Sequence, residues 1–123
     1  MIKKTVFLSL FSLASMIITI HNNAYGLQLL KTKLQITVLN DLGNVEKGVT
    51  IQLFKTEEDY QQSINPIQTK TTDAKGKITF ENLDEASYYI LAEKGDMNNN
   101  DGGSKTEKLT PHRINKITII ISE

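Results

Sequence analysis

Few side chains in this chain could act as a nucleophile, a general base or a soft metal ligand. The sequence contains no cysteine and two histidines, of which only His112 lies beyond residue 26. His112 follows Pro111 in a predicted turn, where an imidazole could serve as a general base or bind a metal. Because no second histidine or cysteine accompanies it, an exposed turn histidine is the simpler interpretation. A hydrolase with an unfamiliar site near His112 remains an alternative.

Acidic side chains cluster at Glu57-Glu58-Asp59 and at Asp84-Glu85, so paired carboxylates for acid–base chemistry are available. Both clusters fall in predicted turns, where neighbouring acids are usually solvated surface. No Gly-x-Ser-x-Gly nucleophile elbow occurs in the sequence. These residues give no support for catalysis, and we expect a protein that is not an enzyme.

An Asp- and Asn-rich segment is the candidate metal site. Asp96, Asn98 and Asn100 supply oxygen ligands at the alternating positions that a calcium loop uses first. However, Asp101 stands where the turn glycine should follow, and Glu107 is out of register for the closing bidentate acid. Asn and Gly also form loops without any ion. We therefore expect no cofactor, and a calcium-stabilised adhesive module remains a second alternative.

Three aromatic residues could form a binding surface. Phe54, Tyr60 and Tyr89 are predicted to project from strand or turn faces opposite the core series. Exposed aromatics stack on sugars or form protein interfaces. The alternative is a small second cluster in which the turn at residues 56–63 packs down on the sheet.

The N-terminus has the pattern of a cleaved export signal. Lys3 and Lys4 precede a run from Val6 to Ile20 that is almost wholly apolar or small, and Ala24-Tyr25-Gly26 follows as a small-x-small triplet. We expect cleavage after Gly26, with cleavage after Ala24 as the second choice. The run is shorter than the ~20 residues of a membrane span. We therefore predict a signal peptide at residues 1–26 and no span after its removal.

The composition narrows the compartment and the partners. Without cysteine there is no lipid attachment point and no disulfide, so we expect an exported protein, periplasmic or secreted, that is not a lipoprotein. The chain has 123 residues, 39% hydrophobic and 23% charged, which suits one domain. The sequence has no stripe of basic residues, which nucleic acid binding would require, so we expect no nucleic acid partner. The remaining partners are an envelope protein or a glycan.

Two-residue alternation predicts an all-β fold. Apolar and polar residues alternate in 34–38, 49–53, 77–80 and 87–93, with further strands expected at 67–72, 105–109 and 116–122. The segment from Thr56 predicts one short helical turn, and residues 94–104 predict a long loop. Seven short strands indicate an antiparallel sandwich over residues 33–123, after a leader at 27–32.

The order of these pieces resembles a known family. Val49-x-Ile51-x-Leu53, then Thr72-Asp73-x-x-Gly76-x-Ile78-x-Phe80-x-x-Leu83, then Tyr88-x-Ile90-x-Ala92, resembles the carboxypeptidase regulatory-like domains and other prealbumin-like (transthyretin-like) sandwiches. The small exported form looks like those of Bacteroidetes-type bacteria. The resemblance implies a non-catalytic binding or structural accessory module of the cell envelope. It also implies that Phe80, Leu83 and Tyr88 plug the sandwich edge.

Two chemistries of related sandwiches do not fit this sequence. Hydroxyisourate hydrolases of transthyretin-like fold need several histidines and a C-terminal Tyr-Arg-Gly-Ser, whereas this chain ends in Ile-Ser-Glu. Some collagen-adhesin-like sandwiches cross-link Lys to Asn beside a buried acid, and Lys33, Asn115 and Glu93 are the candidates here. Because all three are predicted at strand ends and not on the inner face, we expect no such cross-link.

Overall fold

The computed structural model describes residues 31–123, which form two packed β-sheets and one short helix. The predicted signal peptide and residues 27–30 lie outside the described residues. The elements are β1 (Lys33–Asn40), β2 (Thr50–Phe54), α1 (Glu57–Gln62), β3 (Gln68–Thr71), β4 (Lys77–Phe80), β5 (Tyr89–Lys94), β6 (Met97–Asn98) and β7 (Ile114–Ile121). The predicted all-β class, with seven strands and one helical turn, is confirmed. Within residues 31–123 the structure contains no helix with the length and hydropathy of a membrane span.

The strands divide into a first sheet of order β4-β1-β7 and a second sheet of order β3-β2-β5-β6. Every pair is antiparallel except β1 and β7, which run parallel along all eight residues. The prediction of an antiparallel sandwich is wrong for this pair. Parallel neighbours need a long crossover. Here the chain builds the whole second sheet between β1 and β7, and it returns to the end at which β1 began.

Alternation along each strand places the apolar residues between the sheets. Leu34, Ile36 and Val38 of β1 are fully buried, while the residues between them are half-exposed. In β5 and just before it, Tyr88, Ile90 and Ala92 face the core and Tyr89 and Leu91 face outward, as predicted. The remaining core residues are Val49, Ile51, Leu53, Ile78, Phe80, Leu83, Leu109, Ile119 and Ile121.

Phe80, Leu83 and Tyr88 close one side of this core, as the resemblance implied. Their exposed fractions are 0%, 8% and 2%. The Tyr88 hydroxyl accepts a 2.8 Å hydrogen bond from the backbone N–H of Asp84. A buried ring with its polar tip satisfied at the surface suits tyrosine. The link from β4 to β5 is therefore anchored at both its apolar and its polar groups.

Side-chain caps fix the turns and the helix start. The Thr56 hydroxyl accepts from the backbone N–H of Asp59 at 3.1 Å, which confirms the predicted helix N-cap. The helix ends at Gln62 because Ser63 adopts the left-handed conformation. In the β3–β4 turn, the Asp73 carboxylate accepts from the backbone N–H groups of Lys75 and Lys77 at 2.9 and 3.0 Å.

The sixth strand is not where the sequence predicted it. Residues 105–109 form no strand, and Lys105 makes a single isolated bridge to Tyr89. Instead Met97–Asn98 pairs with Glu93–Lys94 inside the predicted loop 94–104. Gly95, at φ 59°, opens the two-residue turn between them. Glycine is preferred at the first central position of a two-residue hairpin turn. The Gly95-Asp96 dipeptide is therefore the sequence feature that indicates this hairpin.

Candidate binding surface

Phe54, Tyr60 and Tyr89 come together, as the sequence grouped them, on the outer face of the second sheet. Phe54 and Tyr89 are directly opposite each other on β2 and β5. Tyr60, on α1, lies edge-on to Phe54 at 5.9 Å between ring centroids and stacks on Tyr89 at 6.0 Å. Phe54 is fully buried under the helix and therefore cannot contact a partner. Tyr60 and Tyr89 remain half-exposed.

A cation also contacts this cluster. The Lys105 ammonium lies 5.3 Å from the centroid of the Tyr89 ring, within the range of a cation–π contact. Tyr89 is thus contacted by Tyr60 and by Lys105. The second-cluster alternative describes this packing, since α1 lies on the sheet through its aromatic residues. That Tyr60 and Tyr89 also bind a partner stays a prediction.

A polar hollow of about 350 Å³ lies beside the aromatic cluster. Its lining residues are Thr50, Gln52, Leu91, Glu93 and Gly95. Gln52 stands opposite Leu91 and Thr50 opposite Glu93 in the β2–β5 ladder, so the hollow continues the row that begins at Phe54 and Tyr89. Hydroxyl, amide and carboxylate groups here suit a polar surface. No pattern in the sequence indicated this hollow, because alternation alone does not show which strands become neighbours.

The candidate calcium residues lie around the β5–β6 hairpin. Asp96 and Asn100 are exposed, and Asn98 is half-buried in β6. The Asn98 side-chain oxygen accepts a 3.0 Å hydrogen bond from the backbone N–H of Asn100. Among residues 31–123, no group of three His, Asp or Glu side chains is arranged to hold a metal ion. Calcium binding by Asp96, Asn98 and Asn100 therefore stays the alternative to our expectation of no cofactor.

Asn99, which the sequence analysis did not single out, organises this segment. Its side chain is fully buried. The amide oxygen accepts from the backbone N–H of Ala92 at 2.9 Å, and the amide nitrogen donates to the carbonyls of Ile90 and Gly103 at 2.9 and 3.0 Å. The side chain thus replaces a missing strand partner of β5. Asn99 is the middle one of three consecutive Asn residues, and nothing in the sequence distinguishes it from the other two, so this role could not be predicted.

His112 and the carboxylate clusters lie at the surface. His112 is exposed in a turn, with its backbone N–H donating to the Thr32 hydroxyl at 3.0 Å. Its positive φ of 58° is a turn conformation. Asp84 and Glu85 pair with Lys55 and Lys108 at 4.0 and 3.5 Å. Glu57, Glu58 and Asp59 form the first turn of α1. The two ion pairs are exposed, and each contributes at most about 1 kcal/mol. The three acids of α1 belong to a capped helix start.

The Lys33, Asn115 and Glu93 positions do not form a cross-linking site. Lys33 pairs with Glu81 at 3.3 Å. The Asn115 side chain bonds the backbone carbonyl of Lys33 and both backbone groups of Thr110. Glu93 belongs to the second sheet and is exposed. Within residues 31–123, the buried polar residues are Thr32, Thr72, Asn99 and Thr106, none of which is a lysine or an acid.

One ion pair links the loop that follows β1 to strand β5 of the second sheet. The Glu46 carboxylate accepts from the Lys94 ammonium at 2.8 Å and from the Asn40 amide at 2.9 Å. These bonds, that from Lys94 first, lower the pKa of Glu46 below its ordinary value. In the β3–β4 turn, the backbone N–H groups of Lys77 and Lys75 likewise lower the pKa of Asp73. Both carboxylates therefore stabilise the folded chain through their hydrogen bonds.

Comparison with known proteins identifies the type of domain. The family model described as "SpaA: Prealbumin-like fold domain" matches residues 33–105. No curated protein matches the chain.

Three of the similar solved structures are pilins. A streptococcal ancillary pilin matches with a TM-score of 0.58 and 19% identity over 76% of this chain and 33% of the pilin. The pilus 2b backbone protein of group B streptococcus gives 0.53 and 16%, over 74% and 40%. The major pilin subunit of Bacillus cereus gives 0.51 and 18%, over 76% and 30%. At these identities the likeness concerns the fold, and this chain spans well under half the length of each pilin.

Proposed function

The chain belongs to the SpaA family of prealbumin-like fold domains, and from that membership we propose that it is a non-catalytic, exported module of the cell envelope with a structural or adhesive role. The observation that carries the proposal is the shared fold with the pilins, in which such domains occur within longer chains. The exported location is further supported by the basic tip, apolar run and small-x-small triplet of residues 1–26.

The arrangement of the described residues supports a mechanical or binding role. The core between the sheets is apolar, and the buried polar side chains bond backbone groups. The exposed features are surfaces: Tyr60 and Tyr89 beside the hollow lined by Gln52 and Glu93. Side chains of this kind make contacts with proteins or sugars. The finer resemblance to carboxypeptidase regulatory-like domains of Bacteroidetes-type bacteria remains part of this proposal.

The proposal is tested by cross-linking in cells. Cells expressing the full tagged chain are treated with an amine-reactive cross-linker that does not cross membranes, and the tagged products are isolated. We expect adducts that contain envelope proteins or envelope glycan that carries free amino groups. A variant lacking residues 1–26 is the matched control, and it should yield no adduct because it stays inside the cell. Recovery of unmodified protein alone from both strains would remove the proposed role.

A further inference from the structure

β7 is an edge strand whose outer side is largely open. It pairs with β1 on one side along its whole length. On the other side, among residues 31–123, only Ser122, just past its end, is paired, and it exchanges 3.0 Å backbone hydrogen bonds with Asn98. Backbone groups alternate sides along a strand. The Arg113 carbonyl points to β1 and Ser122 points outward, so Ile114, Lys116 and Thr118 present their N–H and C=O groups to the open side.

The other sheet edges are short or covered. Two side chains of β3 cover the edge of β4. Gln68 donates to the carbonyl of Glu81, just past β4, at 2.8 Å, and Lys70 donates to the carbonyl of Thr79, within β4, at 2.7 Å. In the second sheet, the edge strand β3 has four residues, all polar, and β6 has two. Folded proteins usually shield sheet edges by such devices. β7 instead has eight residues, most of them isoleucine, and a single charge at Lys116.

A groove of about 240 Å³ runs beside this open edge. Ile117 and Ile119 of β7 and Ile90 of β5 supply its apolar lining. The opposite wall is the segment 102–107, which is held to β5 by hydrogen bonds from Ile90 N–H to the Ser104 carbonyl and from Thr106 N–H to the Tyr88 carbonyl. The groove therefore lies between the outer edges of the two sheets, with room for side chains of an added strand.

The far end of the groove is closed by the backbone of Gly102. Any side chain at Gly102 would overlap the carbonyl oxygen of Ile120. Together with the Asn98–Ser122 pair, this contact limits the open edge to residues 114–119. At about 3.3 Å per residue, that edge accommodates roughly 20 Å of extended chain.

The charges around the groove are mainly positive. Lys116 and Arg113 are exposed along the open edge, and Lys105 lines the opposite wall with one acid, Glu107. Among residues 31–123, none of these three cations forms an ion pair. We propose that the open edge of β7 binds an extended, acidic segment of a partner protein by β-strand addition. Its backbone bonds β7, alternate apolar side chains enter the groove, and its acids, on the opposite face of the added strand, approach Lys116. This inference rests on the proposed binding role and deepens it.

The test uses the purified chain without residues 1–26 and a short labelled peptide in which glutamate and valine alternate. Binding is followed by fluorescence anisotropy and by amide hydrogen exchange. Thr118→Pro removes one outward N–H without touching the bonds to β1, so proline is tolerated there as on an edge strand. We expect at least about tenfold weaker binding by this variant. In the parent protein, the peptide should slow exchange at Ile114, Lys116 and Thr118.

Charge variants give a second, independent readout. Lys116→Glu should weaken binding of the glutamate peptide several-fold and favour a peptide in which lysine replaces glutamate. Lys77→Glu, at the opposite edge of the same sheet, is the matched control and should change nothing. A thermal melt establishes that each variant is folded. If Thr118→Pro is unfolded, the pair Lys116→Glu and Lys77→Glu decides.

Three outcomes overturn the inference: no binding by the glutamate peptide, equal binding by folded Thr118→Pro, or equal binding of a peptide interrupted by proline. Concentration-dependent dimers that protect residues 114–118 would likewise overturn it, in favour of pairing between two copies. None of these outcomes affects the cross-linking result in cells. Conversely, absence of envelope adducts removes the proposed function and leaves the peptide result unchanged.

Discussion

Each polar side chain buried in the described part of the chain bonds the backbone of another segment. Thr32 accepts from His112 N–H, Thr72 bridges Glu46 and Val49, and Thr106 accepts from Tyr88 N–H. Asn99 holds the 96–103 segment to β5 by two bonds, to Ala92 and Ile90, and a third bond to the Gly103 carbonyl fixes the shape of the segment. Because a buried polar group without a partner costs about 1–3 kcal/mol, these side chains hold the loops in one arrangement.

Asn99→Asp should destabilise the fold strongly. A carboxylate cannot donate to the carbonyls of Ile90 and Gly103, and the charge would be buried beside them. We expect a loss of more than about 2 kcal/mol at neutral pH. The loss should shrink in acid, because the introduced carboxyl group can again donate once it is protonated. Urea unfolding measures both, with exposed Asn100→Asp as the control expected to be near neutral.

Glu46→Gln should lower stability at neutral pH and matter less in acid. The hydrogen bonds from Lys94 and Asn40 lower the folded-state pKa of Glu46, so its contribution is present above the unfolded pKa. It is lost as pH falls through the lowered folded-state value. Urea unfolding as a function of pH measures the difference between the parent chain and the variant. A difference that grows toward acid would contradict this account.

At the scale of elements, the sequence predicted the strands better than their partners. Alternation placed β1, β2, β4 and β5 within two residues of their observed bounds, because one face of each strand is buried. It could not show that β7 runs parallel to β1, since pairing depends on contacts about 80 residues apart. It also missed β6, whose two residues are too few for any period to show.

The β3–β4 turn depends on glycine at position 76. Gly76 has φ 71°, and a Cβ there would lie 2.9 Å from the Val38 carbonyl oxygen and 3.0 Å from the Val45 Cβ. Gly76→Ala therefore combines an unfavourable backbone conformation with a clash against β1. We expect a loss of more than about 2 kcal/mol in thermal or urea unfolding.

Gly43→Ala is the matched control for this turn. Gly43 has φ 83°, and no atom lies within 4 Å of the position that a Cβ would take, so only the backbone cost of roughly 1–2 kcal/mol applies. Equal losses in the two variants would show that the contact between Gly76 and β1 contributes nothing.

At the scale of the whole molecule, surfaces were harder to predict than the core. Phe54, Tyr60 and Tyr89 do lie together, but α1 buries Phe54. Only the assembled sheet creates the hollow around Gln52. The open edge of β7 likewise depends on the strand order β4-β1-β7. A binding surface is formed by what remains uncovered after packing, and no local pattern encodes that.

Calcium should not stabilise this protein. Asn98 already uses its side-chain oxygen for the N–H of Asn100, and Asn99, between them, faces the core. A ligand that binds only the native state raises stability by about 2.7 kcal/mol at a hundredfold excess over its Kd. We expect equal thermal midpoints in calcium and in chelator at matched ionic strength. A midpoint that rises with calcium concentration would instead support the calcium-stabilised adhesive module.

The location of the protein in the cell tests the central claim most directly. The full chain is expressed with a C-terminal tag, intact cells are treated with a protease, and the N-terminus of the purified protein is sequenced. We expect a mature protein that begins at Leu27 and lies outside the cytoplasm. The protease should remove its tag in intact cells if the protein is at the cell surface, and after the outer envelope is permeabilised if it is periplasmic. A protein that keeps Met1 and is released only with a cytoplasmic marker would contradict an envelope module.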